Sequence, residues 1–179
     1  MKVIVGLGNP GKEYDGTRHN VGREFAAAIA KKYGFESFEE NAKYAGLVAK
    51  GEIEGEKTII VLPNTFMNKS GKALTEAGVK PKDLIVIHDD TDIVLGSVKV
   101  SFGKRSAGHR GVDSVMRAVK SRDFWRIRVG VQKKKRVDAM QLVLKKWASA
   151  EKLILKKVEK RVVELAATDL QITTISVLI

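Results

Sequence analysis

Two short runs of consecutive apolar residues constrain this chain most: "KVIVGLG" (2–8) and "DLIVIHDD" (83–90). Neither alternates polar with apolar residues, so each needs cover on both faces, as a central strand does in a sheet with helices on both sides. Each run also stops abruptly at glycine or acid, which places polar chemistry at its carboxyl end. A fold that buries these strands must supply helices, and the intervening segments have helical spacing.

From Asn20 to Tyr33, Val21, Phe25, Ile29 and Tyr33 recur every four residues before Gly34, which predicts a first helix. "YAGLVAKGEIEGEKTIIVLP" (44–63) reads as a hairpin turning at Glu54-Gly55. "NKSGKALTEAG" (68–78) predicts a short helix, "SVKVSFGK" (97–104) a half-exposed strand, and "AGHRGVDSVMRAVKS" (107–121) a helix with Val112, Val115, Met116 and Val119 on one face. The strand "FWRIRVGVQ" (124–132) follows, then two helices from Val137 onward. The second of these should turn Leu153, Ile154, Val158, Val162 and Leu165 inward and Lys152, Lys156, Lys157, Lys160 and Arg161 outward. Strands alternating with helices, plus one hairpin, give an α/β fold with a mixed, mostly parallel β-sheet flanked by α-helices. No linker or repeat divides the 179 residues, so a single domain over 1–179 is expected. The end, 169–179, is unassigned: "QITTISVLI" fits a strand, a docking segment or a disordered tail.

Charge narrows the partners. With 33 Lys+Arg against 21 Asp+Glu the formal net charge is +12, a surface that attracts polyanions, nucleic acid first among them. The absence of cysteine excludes disulfides, thiolate zinc sites and a cysteine nucleophile. No apolar run approaches the roughly 20 residues that span a bilayer. The start "MKVIVGLG" lacks the core and cleavage site of a signal peptide, so a cytoplasmic protein without membrane attachment is expected.

"GLGNPGKE" (6–13) comes near two phosphate motifs and satisfies neither. As a dinucleotide fingerprint it should open a helix at once, yet turns intervene and no helical period begins before Val21. As a P-loop it carries Glu13 where a Ser or Thr hydroxyl would meet magnesium. The glycines serve more simply as a tight exit from the strand.

Four polar stretches stand at strand ends or helix starts: "NPGKEYDGTRHN", "NTFMNKSGKA", "HDDTD" and "SAGHRGV". In an α/β sheet such connections gather at one edge and form ligand sites. A shared cleft would hold His19, Asp89 and the amides of Asn9, Asn64 and Asn68, with no serine elbow. A histidine that deprotonates water, a carboxylate that fixes its tautomer and amides that donate to an oxyanion point to hydrolysis. His88, Asp89, Asp90 and Asp92 have acceptable metal-ligand chemistry, but no second histidine at helical spacing supports a site, and neither metal nor cofactor is expected.

Together, "VGLGNPGKEYDGTRHNVG", "TFMNKSGKA" and "HDDTDI" resemble the bacterial peptidyl-tRNA hydrolases in order and spacing, over residues 2 to about 166. The resemblance implies a monomeric esterase that frees tRNA from peptidyl-tRNA. It implies His19 as general base, Asp89 as its stabiliser and Asn9 at the peptide part of the substrate, with Tyr14, Phe66, Met67 and Asn68 along the substrate channel. One position departs: "SAGHRGV" puts Arg110 where the family has an asparagine. A guanidinium donates but cannot accept, so Arg110 suits a tRNA phosphate or a substrate carbonyl, and reduced activity is expected. Lys133 to Arg136 add charge in a loop shorter than the family's. Two other readings stay open: an RNA-binding protein without hydrolysis, like the plastid splicing factors of this fold, and a nucleotide-dependent enzyme built on "GLGNPGKE".

Overall fold

In the computed structural model, which describes residues 1–168, 170 and 176–178, one eight-stranded sheet organises the chain. In chain order the elements are β1 (Lys2–Gly6), α1 (Val21–Lys32), β2 (Glu39–Asn41), β3 (Gly46–Ile53), β4 (Glu56–Pro63), α2 (Lys72–Thr75), β5 (Leu84–Val94) and β6 (Ser97–Phe102). They continue with α3 (Arg110–Val119), β7 (Trp125–Gln132), α4 (Ala139–Val143), α5 (Ser149–Ala166) and β8 (Ser176–Leu178). The strand order is β2-β3-β4-β1-β5-β7-β6-β8. The centre, β4-β1-β5-β7, is parallel, and both margins are antiparallel, so the sheet is mixed as expected.

The uninterrupted apolar runs are explained by burial on both faces. Along β1 and β5 the side chains alternate: Ile4, Ile85 and Ile87 join the core beneath α1 and α5, while Val3, Val5, Leu84 and Val86 join the core beneath α3. In α1 the four-residue spacing buries Val21, Phe25 and Ile29 as predicted. The start of α1 presses against the sheet at Gly22, where any β-carbon would collide with the Ile87 carbonyl oxygen. Beside it the Arg23 amide donates to the Leu7 carbonyl at 2.9 Å, so helix and strand end are locked together.

Three expectations are corrected. The helix over 68–78 is instead a 3₁₀ turn at Met67–Lys69 followed by the single turn of α2. The hydroxyl of Ser70 donates to the Met67 carbonyl at 2.8 Å, and the Gly71 amide donates to Ser114 Oγ at 2.9 Å, so the helical ladder is diverted into a contact with α3. α3 itself begins at Arg110, later than the predicted start at Ala107. On α5, Val158, Val162 and Leu165 are buried, but Leu153 is 67% and Ile154 39% exposed. Five residues before Val158, Leu153 sits about 140° around the helix from the buried face. Ile154 has the right phase, but the fully buried stretch of α5 begins only at Val158.

At the chain end, β8 pairs antiparallel with β6, while the rest of "QITTISVLI" (171–175 and 179) lies outside the described residues. Among the described residues no helix is long and apolar enough to cross a membrane. Gly22→Ala should destabilise the fold by roughly 3 kcal/mol, because a backbone carbonyl cannot yield to the added methyl. Chemical denaturation checks this; a loss below about 1 kcal/mol would show that α1 can lift from the sheet.

Candidate active site

The parallel centre of the sheet carries the carboxyl ends of β1, β4 and β5 to one edge, and the loops there meet the amino end of α3. A cleft of about 440 Å³ opens at this edge, lined by Asn9, His19, Phe66, Met67, Asn68, Asp89 and Arg110 among others, with Met140, Val143 and Leu144 on the side of α4.

Asp89 lies at its base, 1% exposed. Burying a lone carboxylate is costly unless it is paired, and Asp89 is paired twice. Its Oδ2 is 2.9 Å from His19 Nδ1, and its Oδ1 is 2.8 Å from His109 Nε2. Burial alone would push this carboxyl up. The positive field of the His109 and His19 rings, with a hydrogen bond from each, outweighs burial and holds it far below the usual carboxylate range. Asp89 therefore stays an anion, and the pairing assigns the His19 proton to Nδ1 and leaves the Nε2 lone pair for the cleft.

His109 is the site residue that the sequence reading missed. It is the N-cap of α3, and its Nδ1 accepts from the Gly111 amide at 3.1 Å and the Val112 amide at 3.2 Å. With Nδ1 occupied as an acceptor, the ring proton must be on Nε2, pointing at Asp89. A signal for it existed: it is one of only three histidines and stands at the start of a predicted helix on the same sheet edge.

The same tautomer decides the metal question. Atoms of His19, Asp89 and His109 lie within 4.8 Å of one another, a spacing open to a cation. A cation on His109 Nε2 would have to displace its proton while Nδ1 is still held by two amides, leaving an imidazolate, or else break the cap of α3. The donor set therefore does not suit a metal. The other candidate set is dispersed as well. His88 Nδ1 donates to the Asp89 carbonyl at 2.7 Å, Asp90 pairs with Arg128 at 2.8 Å and Asp92 with Arg136 at 2.7 Å.

His19 sits in a 3₁₀ turn, Arg18–Asn20, fixed by its neighbours. Asn20 Nδ2 donates to the Asn9 carbonyl at 2.9 Å, and the Asn9 amide donates to Asn20 Oδ1 at 2.8 Å. The side chain of Asn9 in turn accepts from the Met67 amide at 2.7 Å through Oδ1, which sets its Nδ2 apart as the free end. Phe66 and Asn68 are exposed in the cleft and Met67 is buried at its wall. Two candidates lie elsewhere. Tyr14 is outside the cleft lining and meets Phe66 edge-on, ring centroids 6.3 Å apart, and Asn64 accepts from Arg23 Nη2 at 3.3 Å. Arg110 is the first residue of α3, exposed at the cleft mouth.

His88 lies behind the site, 1% exposed and 4.8 Å from the His109 ring, centroid to centroid. Burial, with His109 and Arg126 close by, pushes it far below the usual imidazole range, so it is neutral. Unfolded, the same group titrates near 6.5, so acid protonates the unfolded chain first. Its contribution to stability is whole above pH 6.5 and is lost as pH falls below that value, at up to about 1.4 kcal/mol per pH unit. Asp89 adds a loss of the same direction only below its unfolded value of 3.8. Thermal midpoints of the wild type should fall from pH 6.5 to 4.5 and fall less steeply in His88→Gln. Parallel slopes for the two proteins would contradict a neutral, buried His88.

Comparison with known proteins agrees along nearly the whole chain. The family profile described as peptidyl-tRNA hydrolase matches residues 3–176. A peptidyl-tRNA hydrolase of Caldanaerobacter subterraneus is 39% identical over 168 residues, 92% of this chain and 90% of that protein. One of Syntrophotalea carbinolica is 40% identical over 157 residues, 85% of this chain and 81% of the relative. Among solved structures, a single-residue variant of the Acinetobacter baumannii peptidyl-tRNA hydrolase superposes with a TM-score of 0.87 at 30% identity, over 96% of this chain and 89% of that one. With profile, relatives and fold in agreement, the chain belongs to the peptidyl-tRNA hydrolase family.

Proposed function

We propose that the chain hydrolyses the ester joining a peptide to the 3′ ribose of tRNA, using water activated by His19. The observation that carries this reading is the buried Asp89 carboxylate holding His19 through Nδ1, with the ring lining the cleft. Nε2 takes a proton from water as the water oxygen bonds to the ester carbonyl carbon. Charge then develops on the carbonyl oxygen, where the Asn9 Nδ2 and the Asn68 amide serve as donors. Collapse breaks the bond to the ribose oxygen, which receives the proton from His19. Asp89 supports the imidazolium in between and is not itself protonated.

Phe66, Met67 and the α4 side of the cleft suit the peptide, and Tyr14 supports Phe66 from behind. Arg110 suits a phosphate or carbonyl of the substrate. The net charge of +12 suits recognition of tRNA by its backbone and shape. We further propose that residues 1–179 act as one domain and as a monomer in the cytoplasm, returning tRNA to translation.

N-blocked aminoacyl-tRNA should be cleaved and unblocked aminoacyl-tRNA spared, with EDTA making no difference. His19→Ala should lower kcat on the order of 10²- to 10⁴-fold while the protein stays folded. Binding of tRNA with no release by the wild type would overturn the hydrolase reading in favour of an RNA-binding protein. Binding should also weaken steeply between 50 and 200 mM salt, at least about tenfold, and a flat response would contradict backbone recognition.

A further inference from the structure

We propose that Arg18, through Trp147 and Glu151, is a positioning residue for hydrolysis: it clamps the turn bearing His19 to the segment that forms the α4 side of the cleft. This rests on the reading of His19 as the base.

Arg18 immediately precedes the base, and its side chain turns away from the cleft into the protein, where it is 2% exposed. Nη2 reaches both carboxylate oxygens of Glu151, at 2.8 and 2.6 Å, and Nη1 donates to the Val131 carbonyl at 3.3 Å. The guanidinium carbon lies 4.4 Å from the centroid of the Trp147 ring, a cation–π contact in a desolvated setting. The backbone repeats the link: the Arg18 amide donates to the Lys145 carbonyl at 3.1 Å, and Thr17 forms an antiparallel bridge with Lys146.

Glu151 has a second task. It also accepts the Ala148 amide at 2.8 Å, capping the first turn of α5. Burial opposes its charge, yet the hydrogen bonds from Arg18 and Ala148 hold its carboxyl below the usual range. One carboxylate thus joins the start of α5 to the turn of the base. The segment between α4 and α5 is caught at Lys145, Lys146 and Trp147, directly after Val143 and Leu144, which line the cleft.

The consequence is geometric. The base is held from the front by Asp89, and the wall facing the substrate is held to the same turn from behind by Arg18. Loosening the clamp lets the wall and the base drift apart, and drifts of an ångström in reacting geometry are costly in rate.

The test uses Glu151→Gln and Trp147→Leu, assayed with N-blocked aminoacyl-tRNA at temperatures where circular dichroism shows each folded. The control is Glu164→Gln, the same chemical change in an exposed pair with Arg161 on the same helix. Both clamp variants should lose roughly tenfold in kcat with KM within about twofold, and the control should match the wild type. A folded Glu151→Gln with wild-type kcat would overturn the clamp, leaving Glu151 as a helix cap only. Activity retained in His19→Ala would instead overturn the reading of the base, whatever the clamp variants do.

Discussion

A carboxylate enclosed by protein must be satisfied from every side, and at Asp89 that requirement falls on two imidazoles. They arrive from opposite directions in the chain, His19 from the turn before α1 and His109 from the cap of α3. Neither can shift without stranding a buried charge. The exit of β1, the end of β5 and the start of α3 must therefore converge within hydrogen-bond distance, and the parallel centre of the sheet makes that convergence possible.

The two imidazoles are not equivalent. His109 has both ring nitrogens occupied, one by amides of α3 and one by Asp89, so its ring cannot turn without breaking a contact. His19 has Nδ1 on Asp89, and its ring lines the cleft. In the proposed reaction, a fixed donor beside a free base lets one carboxylate orient the ring that reacts without surrendering its charge. Asn20 and Arg18 extend this order outward, one to Asn9 and Met67 and the other to Trp147 and Glu151. Three successive side chains of one short turn thus reach Asn9, Asp89 and the first turn of α5.

Most of the sheet was legible because its strands are buried on both faces, which leaves unbroken apolar runs such as those of β1 and β5. The helices were legible where one side of the cylinder is covered, as in α1. The reading failed where a distant partner decides the outcome. Ser114 on α3 draws away the Gly71 amide and shortens the helix predicted over 68–78, and no local pattern carries that information. Leu153 and Ile154 have the composition of a buried stripe but lie before the covered part of α5. No local spacing joins His19 to Asp89 across 70 residues; the gathering of strand-end loops at one sheet edge placed them in a shared cleft, and the resemblance to a family supplied their separate roles. His109 and Arg18 went unassigned for the same reason: their partners lie 20 and 133 residues away.

The proposed role of His19 depends on the charge and orientation that Asp89 imposes on it, and the kcat of Asp89→Asn measures that dependence most directly. The amide keeps the size of the carboxylate but can meet His19 Nδ1 as a donor, which favours the wrong tautomer and removes the support for the imidazolium. A fall in kcat on the order of a thousandfold or more in a folded protein is the result expected. A variant within about tenfold of the wild type would contradict it, because His19 would then act as a base without the anion beneath it.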